Sequence, residues 1–260
     1  VGDQLGSTLT VGASNAPTIT CKRLHSTFDC TTGNQGQSSI TINATETNSA
    51  PSRNLFFYNL TLGTGDFTTS LFGTVTITNN LTITTGTINS RGYSVTVTKH
   101  IDITGTLTGG TSSVSCGTMT LRDNSTVTGT GTITVTGNDK ANSPTGAGYI
   151  WRNIETDGTA FAPSAGTVHF VGSGLANGYI VESRFYDFIF DITGGGDVQW
   201  LDADNNTTTI GGDCTIVEGQ LKRNAESDTL VVTGAVSIES GGRLGDDDDT
   251  GPNPFGRLTI

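Results

Sequence analysis

The feature that most constrains this chain is a strict two-residue alternation of aliphatic and threonine side chains. In 73–78 (GTVTIT) Val75 and Ile77 alternate with Thr, and in 81–84 (LTIT) Leu81 and Ile83 do the same. The pattern returns at 93–98 (YSVTVT), 101–104 (IDIT), 119–121 (MTL) and 131–136 (GTITVT). Successive side chains of an extended strand point to opposite faces, so each segment has one apolar and one hydroxyl-bearing face. Thr suits the solvated face, because its β-branch favours extended backbone while its hydroxyl stays in water. Turn chemistry separates the segments, as in Thr78-Asn79-Asn80 and Asn89-Ser90-Arg91-Gly92. Residues 147–156 (AGYIWRNIET) come closest to an amphipathic helix, and they are short. With 33% hydrophobic and 14% charged residues the chain is leaner than a globular average. Its regularly spaced β-branched residues nevertheless argue against disorder.

Strands this short cannot bury a one-sided apolar face alone; each needs a partner in the next turn of chain. The expected fold is therefore all-β, a parallel β-solenoid (β-helix), with tandem antiparallel β-sandwiches as the alternative. A longer internal similarity overlies the alternation. Segment 38–43 (SSITIN) matches 166–171 (GTVHFV), and 57–60 (FYNL) matches 185–188 (FYDF), both at an offset of 128. Matches of 80–86 with 213–219 and of 101–103 with 236–238 follow at slightly larger offsets. This divides the chain into an irregular segment 1–36, a first β-repeat unit 37–136, a connection 137–164, and a second unit 165–260.

The motif FYNLTL (57–62), followed by TITNNLTITTGTINSRGYSVTVTKHIDITGTLTG (76–109), resembles segments of secreted bacterial surface repeats. These are the filamentous-haemagglutinin-like adhesins and similar β-solenoids, and comparable stretches occur in phage fibre proteins. The resemblance covers most of 37–136 and, more loosely, 165–245. It implies an exported, fibrous, non-catalytic protein and supplies no catalytic residue.

Charge is uneven. Residues 1–128 hold six basic and six acidic residues, so the net charge of −11 lies wholly in 129–260. An acidic surface repels phosphate backbones, which excludes nucleic acid as the expected partner. No apolar run approaches the length of a bilayer span, and the residues from Val1 onward do not read as a basic-then-apolar leader, so the signal of an exported chain is expected to have been removed or to lie outside this sequence. Of the four cysteines, Cys21 and Cys30 are close enough for a local disulfide, whereas Cys116 and Cys214 fall on apolar strand positions as buried thiols.

Few residues point to chemistry. Asp202, Asp204, Asn206 and Asp213 stand at positions 1, 3, 5 and 12 of a run that echoes a calcium loop. Thr207 replaces the usual Gly, and a solvated acidic turn is the competing reading. The run Asp246–Asp249 reads as a solvated acidic loop. Six Asn-x-Ser/Thr sequons begin at Asn43, Asn59, Asn80, Asn124, Asn205 and Asn206, where Asn also serves to close turns. Phe56, Phe57 and Tyr58, with Phe185, Tyr186, Phe188 and Phe190, read as packing residues. Trp151, in the connection, is the expected exposed contact for a surface glycan.

His25, His100 and His169 are scattered, and no nucleophile elbow or phosphate loop occurs. Asp187, Asp191 and Asp197 are the nearest approach to a carboxylate set, and two of them flank the Gly194-Gly195-Gly196 turn. An enzyme is not expected, nor any cofactor beyond that calcium ion. The expected function is an extracellular, cell-surface fibre, filament or adhesin subunit that self-associates end to end, with Ser7–Ala13 (STLTVGA) available as an added strand. A virion fibre or capsid decoration protein, and a carbohydrate-binding module, are the alternatives.

Overall fold

The computed structural model describes residues 18–21, 39–42, 48–49, 55–63, 68–70, 73–111, 113–129, 131–138, 148–153, 165–173, 178–181, 184–194, 198–202, 207–223, 229–245 and 257–259. Every regular element among them is a strand, and every strand pairing is parallel. The chain winds as a parallel β-solenoid, the first of the two architectures expected from the alternation. Among the described residues no helix is long and apolar enough to cross a membrane.

Each full turn lays down up to three strands, which stack on the equivalent strands of the turns before and after. The first side contains Leu55–Phe57, Val75–Ile77, Val95–Val97, Val114–Cys116, Thr132–Val135, Thr167–Ser173 and Asp187–Thr193. The second contains Thr18–Cys21, Ser39–Ile42, Asn59–Leu62, Leu81–Ile83, His100–Ile103, Thr118–Leu121, Tyr149–Asn153, Gly178–Val181 and Val198–Asp202. Two longer strands, Cys214–Arg223 and Val236–Leu244, run through both sides, each past a register shift, and join them into one 18-stranded sheet. The third side comes in two runs. One of five strands reaches from Asn48–Ser49 to Thr126–Gly129, and one of four from Arg184–Phe185 to Arg257–Thr259.

Val75 pairs with Val95 and Asn59 bonds to Asn79, so one turn takes about 20 residues. This is the structural period. The offset of 128 is not a whole number of turns: it lays second-side strand Ser39–Ile42 on first-side strand Thr167–Ser173. Pairing also crosses the expected boundaries of the connection. Ile133 pairs with Val168 across it, and Met119 pairs with Trp151 inside it.

Register converts the alternation into a core. Ile77 pairs with Val97, and the same inward column continues through Cys116, Val135, Phe170, Phe190 and Ile216 to Ile238. The second side adds the column Leu60, Leu81, Ile101 and Met119, and the third adds Ile88, Leu107 and Val127. All of these except Ile238 are buried. Each fully buried aliphatic or aromatic side chain contributes about 1.5–3 kcal/mol. The outward positions between them carry Thr76, Thr96 and Thr134 on the first side and Thr87, Thr106 and Thr126 on the third.

Candidate functional site

At the corner between the first and second sides, polar residues stack from turn to turn. The Asn59 amide donates to Ser39 Oγ at 3.0 Å, and the Asn79 amide donates to Asn59 Oδ1 at 2.8 Å. Asn59 Oδ1 also accepts the backbone N–H of Asn80 at 3.1 Å, and Asn80 Oδ1 accepts that of His100 at 3.3 Å. His100 Nδ1 lies 2.7 Å from Thr118 Oγ1, both residues buried. Amide side chains suit this corner because each can accept from one turn while donating to another. Two of the sequon asparagines, Asn59 and Asn80, are therefore members of the corner ladder. Carboxylates do similar work at a different corner, between the third and first sides: Asp187 Oδ1 accepts the Asp213 N–H at 2.9 Å, and Asp213 Oδ1 accepts the Ala235 N–H at 2.8 Å.

Asp213, the last member of the expected calcium loop, thus has one carboxylate oxygen engaged by the backbone of the next turn. Asp204 and Asn206 lie outside the described residues, and Asp202 is described only through its backbone, as the end of Val198–Asp202. Among the described residues, no group of three or more His, Cys, Asp or Glu side chains is placed to hold a metal ion. Asp187 serves as a corner acceptor, and Asp197 lies outside the described residues. Cys30, the Cys21 side chain, Ser7–Ala13 and Asp246–Asp249 lie outside them as well. Cys116 and Cys214 are buried free thiols, as their strand positions suggest. Burial pushes both up from the ordinary 9.0, Cys214 to about 12.

Trp151 is not an exposed contact. It is fully buried, paired with Met119 on one side and Ile180 on the other. Its ring centroid lies 6.0 Å from Phe170 and 5.7 Å from Phe185, and Phe188 completes the cluster. The physical cause is a register irregularity between Tyr149 and Trp151, which breaks strict alternation so that Ile150 and Trp151 both face inward. Phe185, Phe188 and Phe190 pack inside as expected, whereas Phe56 is exposed.

The outward aromatic residues of this region are instead Tyr149 and Tyr179, partners across adjacent turns on the second side. Their ring centroids stand 5.6 Å apart at an interplanar angle of 41°. The Arg152 guanidinium sits over the Tyr149 ring, 4.5 Å from its centroid. Lower on the same side, Arg122 closes a two-pronged ion pair with Asp102, Nε to Oδ1 at 2.6 Å and Nη2 to Oδ2 at 2.8 Å. That hydrogen-bonded carboxylate, first among the causes, raises the Arg122 pKa further. Tyr149 and Arg152 could not be singled out by periodicity, because the same irregularity that buries Trp151 resets which neighbours face out. Compared with known proteins, the chain matches no family model, no curated protein and no solved structure.

Proposed function

We propose that this chain is a non-enzymatic structural protein, exported to the cell surface, where it serves as a fibre or filament subunit or an adhesin. The observation that carries this reading is the unbroken parallel ladder and the edge of its last described rung. Val236–Leu244 pairs with Cys214–Arg223 on one edge, and no described strand pairs with its other edge. Ile238, at the end of an inward column, is 50% exposed there. Unpaired N–H and C=O groups on a strand edge are a template for another strand, and parallel polarity makes such a contact head-to-tail. The proposed partner is a second copy of this chain, offering the edge of its first described rung, Thr18–Cys21.

Sedimentation velocity over a range of concentrations, with and without calcium, tests the assembly. Species larger than the monomer are expected to grow with concentration and to be suppressed by Ile238→Lys. A strictly monodisperse monomer at high concentration would overturn the filament reading. Mass spectrometry of fractionated source material tests the location. Recovery with the cell envelope supports the surface assignment, whereas recovery with purified virions transfers the same structural role to a virus particle.

A further inference from the structure

The fold treats the Asn-x-Ser/Thr sequons unequally. Asn43, Asn205 and Asn206 lie outside the described residues. Asn59 is committed to the corner ladder: its amide donates to Ser39 Oγ, and its Oδ1 accepts from Asn79 and Asn80. Asn80 is half-buried at the same corner, with its Oδ1 on the His100 N–H. A sugar joined to either amide would have to fit between stacked turns.

Asn124 stands apart from both. It is exposed, at the bend between the second-side strand Thr118–Leu121 and the third-side strand Thr126–Gly129. The Ser125 N–H donates to the Arg122 carbonyl at 2.8 Å and closes a turn in which Asn124 takes a φ of 66°. Asn enters that left-handed region more readily than most residues with a side chain. Among the described residues its side-chain amide has no hydrogen-bond partner.

The two residues that follow complete the arrangement. Ser125 is 1% exposed, whereas Thr126 is exposed on an outward position of its strand. The Asn124 amide and the Thr126 hydroxyl therefore both stand in solvent at one corner, with the middle residue turned inward. An N-glycan acceptor needs that combination: the amide nitrogen is the group modified, and the hydroxyl two residues on engages the transferring enzyme.

We infer that Asn124 is an acceptor for N-linked glycosylation, its co-substrate an oligosaccharide carried on a lipid pyrophosphate. Asn124 Nδ2 attacks the anomeric carbon of the first sugar and loses one proton to a base of the enzyme. The new C–N bond replaces the C–O bond to the lipid pyrophosphate, which leaves with the bonding electrons. The turn survives the change, because the hydrogen bond that closes it is between backbone groups. Such donors are consumed on the far side of a membrane, so in the cell this inference rests on the export reading.

The test uses the whole folded chain, made in a host that adds no N-glycans. It is incubated with a lipid-pyrophosphate oligosaccharide and a single-subunit oligosaccharyltransferase, beside synthetic peptides spanning the sequons of Asn59, Asn80 and Asn124. Glycopeptide mass spectrometry is expected to find the sugar on Asn124 of the folded chain and on neither of the other two. Asn124→Gly removes the acceptor while suiting the positive φ, and Thr126→Ala removes the hydroxyl while leaving the turn. Each is expected to abolish the adduct without altering the circular dichroism of the sheet, and Thr126→Ser to retain it. An unmodified Asn124, an adduct that persists in Thr126→Ala, or modification of Asn59 or Asn80 in the folded chain to the extent seen in their peptides would each overturn the inference. Donor and enzyme are supplied, so the outcome is independent of where fractionation finds the chain.

Discussion

Gly117 shows how little room one residue has in this stack. A Cβ there would stand 2.5 Å from the carbonyl oxygens of both Lys99 and Asn138, which are backbone atoms and cannot swing away. Gly117→Ala is expected to cost at least the 1–3 kcal/mol typical of overpacking, read as a lowered urea midpoint. Gly92, open on all sides at φ +88, instead owes its glycine to backbone conformation. The buried thiols give a second consequence at this scale. Burial raises the folded-state pKa of Cys214 from 9.0 to about 12, so the folded chain holds that proton more tightly than the unfolded one. Stability is therefore intact below about pH 9 and declines as pH rises toward 12, by on the order of 1 kcal/mol per pH unit for the thiol. The decline should be shallower in Cys214→Ala when denaturation midpoints at neutral and alkaline pH are compared.

At the scale of elements, the corner ladder fixes how one turn sits on the next. Asn59 accepts from both the Asn79 amide and the Asn80 backbone. Asn59→Ala leaves those donors without their acceptor and is expected to cost about 1–3 kcal/mol. Asn59→Asp keeps the acceptor and should cost less, because carboxylates already accept turn-to-turn backbone bonds at the corner between the third and first sides, as Asp187 and Asp213 do. Thermal melts of the two variants, side by side, check the order. The strands themselves were legible from sequence, because Val75, Ile77, Leu81, Ile83, Ile101 and Ile103 alternate without interruption and all face inward. The ladder was only half legible: Asn79 and Asn80 announced a turn, but a turn residue does not reveal that its side chain reaches the neighbouring coil. Trp151 was misread because a register irregularity leaves no mark on local composition. The 128-residue similarity does not keep to one side of the solenoid, for a related reason. Strand-and-turn segments of near-identical character lie on all three sides, so alignment pairs them without regard to which side they occupy.

For the whole molecule, the unit that counts is the turn. Leu81 and Ile101 occupy neighbouring rungs of one column. Deleting 81–100 therefore brings Ile101 to the place of Leu81 and leaves every remaining inward column in register. That variant is expected to fold, with a cooperative but lower melting transition, because solenoid stability sums over adjacent repeats. Deleting 81–90 instead shifts one side onto another and should abolish the cooperative transition. Circular dichroism melts distinguish the two outcomes.

The parallel ladder has one more consequence. Its interstrand hydrogen bonds point along the solenoid axis, so a load that peels the terminal strand strains only one row at a time, while the rows behind it stay shielded. Pulled from that end in a force experiment, the protein should unzip in a low-force sawtooth. Each tooth should release about one turn, on the order of 70 Å of contour for 20 residues at ~3.5 Å apiece.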